Sequence, residues 1–185
     1  MSPTPSGRPM DGEFADYAKP DLDFVLGDDA VEALRATAAE TIALLSPLDE
    51  TFVSGWSYAP GKWTIKQIVG HLADDERIFA YRALCIARGD TRPLPGFDEE
   101  EYMASVDFES RTLRSLIDEF RVVREATIAL LEPMSAEEWV RRGIVNGYEA
   151  SVRGLAFHVA GHELHHVRVL HERYLAGERS ERGSV

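Results

Sequence analysis

The sequence predicts an all-α protein built as a four-helix bundle, and three observations indicate this class. Four segments carry apolar residues at the three- and four-residue spacing of an amphipathic helix. No segment shows the sustained apolar–polar alternation of a strand, and no internal repeat is present in the sequence. The chain has 185 residues, which is enough for one domain with a single substantial core.

The first helix is predicted over about residues 29–45, and the second begins after Thr64. Thr64 can cap the second helix and Gln67 can complete a capping box, because each side chain then pairs with a free backbone N–H group of the other residue. Apolar residues recur at helical spacing from Ile65, and Gly89 ends the pattern.

The third helix is predicted over about residues 110–131, where Pro133 ends it, and the fourth over about residues 151–175. Ser151 is a residue type preferred at helix N-caps. A second capping-box sequence predicts a short extra helix near residues 135–140.

The connections between the four helices, at about residues 46–63, 89–109 and 132–150, are all long. Bundles with up-down-up-down topology generally use short loops, so crossover connections are expected here. The connections are also rich in aromatic residues, which must cover an end of the bundle or line a pocket.

The composition divides the chain into a bundle and two tails. Residues 1–27 are rich in Pro, Ser, Gly and Asp, which predicts a partly extended N-terminal tail. The bundle is predicted over residues 28–176, and a C-terminal tail over residues 177–185.

The charge of the chain excludes several classes of partner. A formal net charge of −12, without a basic patch, argues against nucleic acid or an anionic membrane as a partner. The single cysteine, Cys85, fits a reducing compartment, and neither a signal peptide nor a membrane-spanning apolar run is recognisable. We therefore expect a soluble cytoplasmic protein whose partner is a small molecule. The extra aromatic residues of a small bundle also lead us to expect a homodimer.

Five of the six histidines lie between positions 158 and 171, and the sixth is His71. On the fourth helix, His162 and His166 flank the apolar side, whereas His158 and His165 lie farther round towards solvent or a neighbouring helix. Two histidines four residues apart can hold a divalent metal together, and a third imidazole from a facing helix would leave at least one position open. A single histidine at the edge of an apolar stripe, such as His71, is more often a hydrogen-bonded core residue.

Two carboxylates lie inside the apolar faces of their helices, where charge is costly unless it is paired. For Glu76 we expect an ion pair with an arginine across the bundle. For Glu163 the candidates are Arg153, Arg168 or a histidine ring. A third carboxylate, Asp75, follows His71 by one turn on the same helix edge and is the candidate general base.

The stretch YAPGKWTIKQIVGHLADDERI (58–78), together with HVAGHELHHVRVL (158–170), resembles the DinB-like superfamily, the DinB/YfiT four-helix metalloproteins. The resemblance covers about residues 28–175. It implies up-down-down-up topology, in agreement with the long connections.

The resemblance also implies a divalent metal, zinc or nickel in different members, held by three histidines. The family's ligands map onto His71, His162 and His166, the same pair on the fourth helix that its apolar face favours. His158 and His165 match no ligand and are expected to line the pocket.

We consider three possible functions, of which the resemblance implies the first two. Our first hypothesis is a thiol S-transferase-like enzyme, in which the metal binds a low-molecular-weight thiol and lowers its pKa. The second is a metal-dependent hydrolase that uses water as the nucleophile. The third is a non-catalytic, stress-associated dimer in which the metal is a structural clip.

Overall fold

Four long helices form the bundle in the computed structural model, which describes residues 5–176. They are α2 (Ala30–Leu45), α4 (Ile65–Ala87), α6 (Leu113–Leu131) and α8 (Val152–Val169). The short helices are α1 (Lys19–Leu22), α3 (Glu50–Val53), α5 (Glu99–Ala104) and α7 (Ala136–Val140). The predicted helical class, the bundle and the extra helix near residues 135–140 are confirmed. Along residues 5–176, no helix combines the length and apolar character needed to cross a membrane.

The helices begin where the sequence carries caps. The backbone N–H of Thr64 donates to the Gln67 side chain at 2.8 Å, and the Gln67 N–H donates to the Thr64 hydroxyl at 3.2 Å. Ser135 and Glu138 form the second capping box, and Ser151 caps α8. Each cap satisfies N–H groups that the first helical turn leaves unpaired.

A small β-hairpin between α7 and α8 was not predicted. Strands β1 (Arg142–Val145) and β2 (Tyr148–Ser151) pair antiparallel, and Asn146 and Gly147 form the turn with φ angles of 49° and 84°. Strands of four residues are too short for alternation to be recognised. The sequence signal was the Asn-Gly pair, which favours tight hairpin turns because both residues tolerate positive φ.

Two apolar clusters define the directions of the helices. One cluster joins the first halves of α2 and α8 to the second halves of α4 and α6; its members include Leu34, Leu155, Phe79 and Leu131. The other joins the end of α2 and the turn after α8 to the starts of α4 and α6; its members include Leu45, Leu170, Ile65 and Leu116. Helices α2 and α8 therefore run one way and α4 and α6 the other, which confirms the up-down-down-up topology.

A buried ionic network connects all four long helices. Arg124 of α6 donates to Glu76 of α4 at 2.9 Å and to Glu163 of α8 at 2.8 Å. Thr37 and Thr41 of α2 also donate to Glu163. The predicted ion pair of Glu76 with an arginine is thus confirmed, whereas the partners predicted for Glu163 were wrong. A helical-wheel projection describes one helix at a time, so it could not show that an arginine from α6 lies in the core between two carboxylates.

The segment before α2 packs on α8, where glycines let the two backbones approach. A Cβ atom at Gly154 would lie 1.9 Å from the carbonyl oxygen of Glu13, and one at Gly161 would lie 2.6 Å from that of Asp21. The two glycines are seven residues apart, about two turns along one helix face. Arg153, one of the partners predicted for Glu163, instead donates to Glu13 at 2.7 Å.

The predicted division into bundle and tails stays a prediction, and the C-terminal tail lies outside the described residues.

Candidate metal centre

The structure brings His71 of α4 together with His162 and His166 of α8. The Nε2 atom of His162 lies 3.2 Å from Nε2 of His71 and 3.1 Å from Nε2 of His166. Residues four apart on α8 project from the same side of the helix, and α4 packs antiparallel against that side. Three imidazoles from two distant segments therefore share one point in space.

The three nitrogens fit a divalent cation. Zinc lies about 2.0–2.1 Å from histidine nitrogens, so tetrahedral geometry separates two such nitrogens by roughly 3.3 Å. The observed separations of 3.1 and 3.2 Å are close to this value. The ligand atoms of all three residues lie within 4.8 Å of one another.

Asp75 holds the central histidine of this group. Its Oδ2 atom lies 3.2 Å from Nδ1 of His162, and the residue is only 4% exposed. By accepting the Nδ1 proton, Asp75 favours the tautomer in which the Nε2 lone pair of His162 faces His71 and His166. The structure thus places the predicted general base behind His162, where it can orient the ring.

The three imidazoles have different pKa values. Burial lowers the pKa of His71 from 6.5 to about 4 and that of His166 well below 6.5, and the neighbouring His162 adds to both shifts. Burial also opposes charge on His162, but the carboxylate of Asp75 outweighs it and raises the pKa above 6.5. Metal binding requires neutral imidazole, which His71 and His166 supply at neutral pH.

A cavity of about 280 Å³ opens beside the three histidines. Five of its lining residues were not predicted as site residues: Tyr17, Asp21, Trp63, Phe79 and Glu99. Glu99 begins α5, and its Oε2 atom lies 3.9 Å from Nε2 of His71. The ring of Trp63 lies 4.6 Å from that of His71. Glu99 carried no sequence signal, because α5 lies in a long connection without periodicity. Trp63, by contrast, lies in the stretch 58–78 that resembles the DinB-like superfamily.

His158 and His165 lie at the same cavity but outside the three-histidine group. The ring of His158 stacks on Phe79 at 4.0 Å between centroids, and burial lowers its pKa from 6.5 to about 4. The Nδ1 atom of His165 lies 3.1 Å from Oδ1 of Asp21, which belongs to the segment before α2. Asp75, His158 and His162 also have ligand atoms within 4.8 Å of one another. This second group shares His162 with the first.

Sequence comparison identifies relatives of this chain. A sequence model of the DinB superfamily matches residues 33–170. A candidate metal-dependent hydrolase of Oceanobacillus iheyensis is 29% identical over 114 residues, which cover 60% of this chain and 64% of that protein. The matched region therefore spans less than two thirds of that relative.

Two solved structures share the fold. YfiT from Bacillus subtilis, described as a probable metal-dependent hydrolase with an unusual four-helix bundle topology, superposes with a TM-score of 0.68 at 16% identity. That similarity covers 86% of this chain and 87% of YfiT. A mycothiol-dependent maleylpyruvate isomerase superposes with a TM-score of 0.62 at 14% identity, covering 74% of this chain and 57% of the isomerase. At these identities the similarity establishes the fold alone.

Proposed function

The chain belongs to the DinB superfamily, and on this premise we propose that it is a metal-dependent hydrolase whose divalent ion is held by His71, His162 and His166. The observation that carries the proposal is the convergence of three Nε2 atoms beside a cavity. Zinc or nickel is the expected ion, because both are well suited to imidazole ligands. The substrate is a small molecule that enters the cavity.

The residues around the three histidines have separate tasks. A bound ion would supply Lewis-acid chemistry, lowering the pKa of water and polarising a carbonyl oxygen. Glu99 lies on the side of His71 that faces the cavity, and its Oε2 atom can accept the proton that a water molecule releases. Partial burial raises the pKa of Glu99 above 4.5, which makes its carboxylate a better base. In this proposal Asp75 orients His162, and Glu99 takes the role of general base.

The charges of the cavity favour water over a low-molecular-weight thiol that carries free carboxylates as the nucleophile. The described residues that line it include the carboxylates of Asp21, Asp75 and Glu99 but no lysine or arginine. A thiol cofactor with free carboxylates would be repelled by these groups. The S-transferase hypothesis remains the alternative, and dependence on added thiol distinguishes the two.

Elemental analysis of the purified protein tests the proposal first. We expect about one equivalent of a divalent metal, which His162→Ala should lose. His171→Ala is the matched control, because His171 is exposed just beyond α8. A folded protein that binds no metal under any loading condition would overturn the proposal.

Turnover of a panel of carboxylic esters and amides tests the reaction. The metal-loaded protein should hydrolyse at least one of them without thiol, and a chelator should abolish the activity. Activity that appears only with an added thiol would replace hydrolysis by thiol transfer.

A further inference from the structure

A second cavity, of about 200 Å³, shares Trp63, His165 and His166 with the cavity at the metal centre. Most of its remaining wall is apolar or aromatic. We call its apolar and aromatic residues the aryl subsite: Tyr58, Trp63, Ile68, Val169 and Tyr174. The exposed Lys62 and Glu100 are its charged neighbours.

Contacts between aromatic rings hold the aryl subsite in shape. The rings of Tyr58 and Tyr174 meet edge to face with centroids 5.3 Å apart, and the Tyr174 hydroxyl donates to the Trp63 carbonyl oxygen. The indole of Trp63 lies nearly parallel to the ring of His166, at 6.2 Å between centroids. Trp63 is therefore a wall common to the aryl subsite and the metal centre.

The end of α8 is built to present Tyr174 to this cavity. Residues Leu170–Tyr174 form a π-helical turn, in which Leu175 N–H donates to the Leu170 carbonyl at 3.0 Å. The wider turn changes the direction of Tyr174 relative to a regular α-helix, and such turns are often found at functional sites. Tyr58 and Trp63 come from the connection between α3 and α4, so two separate segments converge on one pocket.

We propose that the aryl subsite receives an aromatic ring of the substrate while the bond to be cleaved lies at the three histidines. This inference rests on the proposed hydrolase function and names its substrate class as aryl-bearing esters or amides. A volume of about 150 Å³ is enough to hold benzene, and the cavity that the aryl subsite lines has about 200 Å³. Ile68 and Val169 offer apolar contact to the ring, and the aromatic residues offer edge-to-face or offset packing.

Two hydroxamates test the aryl subsite, because both bind a metal through the same group and differ in the ring. Benzohydroxamate and acetohydroxamate are titrated into the zinc-loaded protein by calorimetry. We expect the ring to improve affinity about tenfold, through burial of apolar area.

Three variants test whether the tighter binding of benzohydroxamate than of acetohydroxamate comes from the aryl subsite. Tyr58→Ala removes a wall of the subsite and Val169→Phe fills it, so both should reduce the preference to less than about threefold. Tyr81→Ala is the matched control, because Tyr81 is 57% exposed on α4 and lines neither cavity. This control should keep the full preference.

Benzyl alcohol separates failure of the subsite from failure of the metal centre, since it has a ring but no chelating group. Saturation-transfer NMR on the metal-free protein should show contact with the ring, and Tyr58→Ala should weaken the signal. If neither hydroxamate binds while benzyl alcohol does, the metal centre is refuted and the subsite stands. Equal affinities for the two hydroxamates, or a preference unchanged in both variants, would overturn the subsite.

Discussion

Two adjacent carboxylates on α4 occupy opposite environments. Asp74 lies near the surface and accepts from Arg77 at 3.1 Å, whereas Asp75 is buried against Nδ1 of His162. Consecutive residues of a helix differ by about 100° around its axis, so one position decides between solvent and the three histidines. The pair offers a controlled test of the orienting role of Asp75.

Asp75→Asn is expected to weaken zinc binding roughly 10- to 100-fold, the usual cost of losing a carboxylate that orients a ligand histidine. Competition with a chromophoric chelator measures the dissociation constant. Asp74→Asn carries the same chemical change one residue away and should leave the constant within about threefold of wild type. Equal zinc affinity in Asp75→Asn and wild type would refute the orienting role.

His158 should make the metal-free protein sensitive to acid. Its pKa is lowered from 6.5 to about 4 by burial, so between these pH values the unfolded chain binds a proton that the folded chain does not. The free energy of unfolding therefore falls as the pH falls, by up to about 1.4 kcal/mol per pH unit from this residue. In His158→Phe, the free energy of unfolding measured by urea denaturation should fall less steeply with pH below 6.5. Above pH 6.5 its dependence on pH should be the same as in wild type. An unchanged slope would contradict the assignment.

Helix α8 serves three neighbours from different faces. His162 and His166 face α4, Glu163 faces the buried network, and Gly154 and Gly161 face the segment before α2. That segment contributes Tyr17 and Asp21 to the cavity, so its packing on α8 is part of the site.

Gly161→Ala should displace the segment before α2 from α8. The new Cβ would lie 2.6 Å from the Asp21 carbonyl oxygen, which is closer than van der Waals radii allow. When the segment moves away, the 3.1 Å hydrogen bond between Asp21 and His165 would be lost. We expect faster amide hydrogen exchange around α1 with unchanged exchange in α6, and a loss of about 1–3 kcal/mol in stability. Unaltered protection around α1 would show that the backbones accommodate the methyl group.

The whole bundle has sources of stability that do not involve the three histidines. Its two apolar clusters lie at its two ends, and the Arg124 network ties α2, α4, α6 and α8 together. This arrangement speaks against the hypothesis of a metal clip, which requires the metal for folding. The homodimer and the cytoplasmic location stay predictions.

Arg124→Met should lower the free energy of unfolding by about 3–5 kcal/mol, because Glu76 and Glu163 would remain buried without their partner. Burial raises the pKa of Glu76 above 4.5 even with Arg124 in place, so the charge is already costly. Arg121→Met, on the same helix but 41% exposed in its side chain, should change stability by less than about 0.5 kcal/mol. Chemical denaturation measures both variants, and equal losses would mean that the network contributes nothing specific.

Much of the fold could be read from short stretches of sequence. The amphipathic spacing predicted four helices, and the capping boxes at Thr64 and Ser135 predicted the starts of the second of them and of the short helix α7. The spacing of His162 and His166 predicted a shared direction. These features depend on residues within one or two helical turns, and such local geometry is similar in every helix.

The tertiary structure decided which groups meet across the bundle. It placed Arg124 between two carboxylates, brought Glu99 and Trp63 to the three histidines, and turned Tyr174 towards Tyr58. The sequence around Glu76 indicated that this carboxylate needs an arginine, but the identity of each partner has no signature within one segment, because it depends on the order, direction and depth at which distant segments pack. The sequence by itself determined the helices and the two histidines that share a face, and only packing between helices and connections determined the cavity they open into.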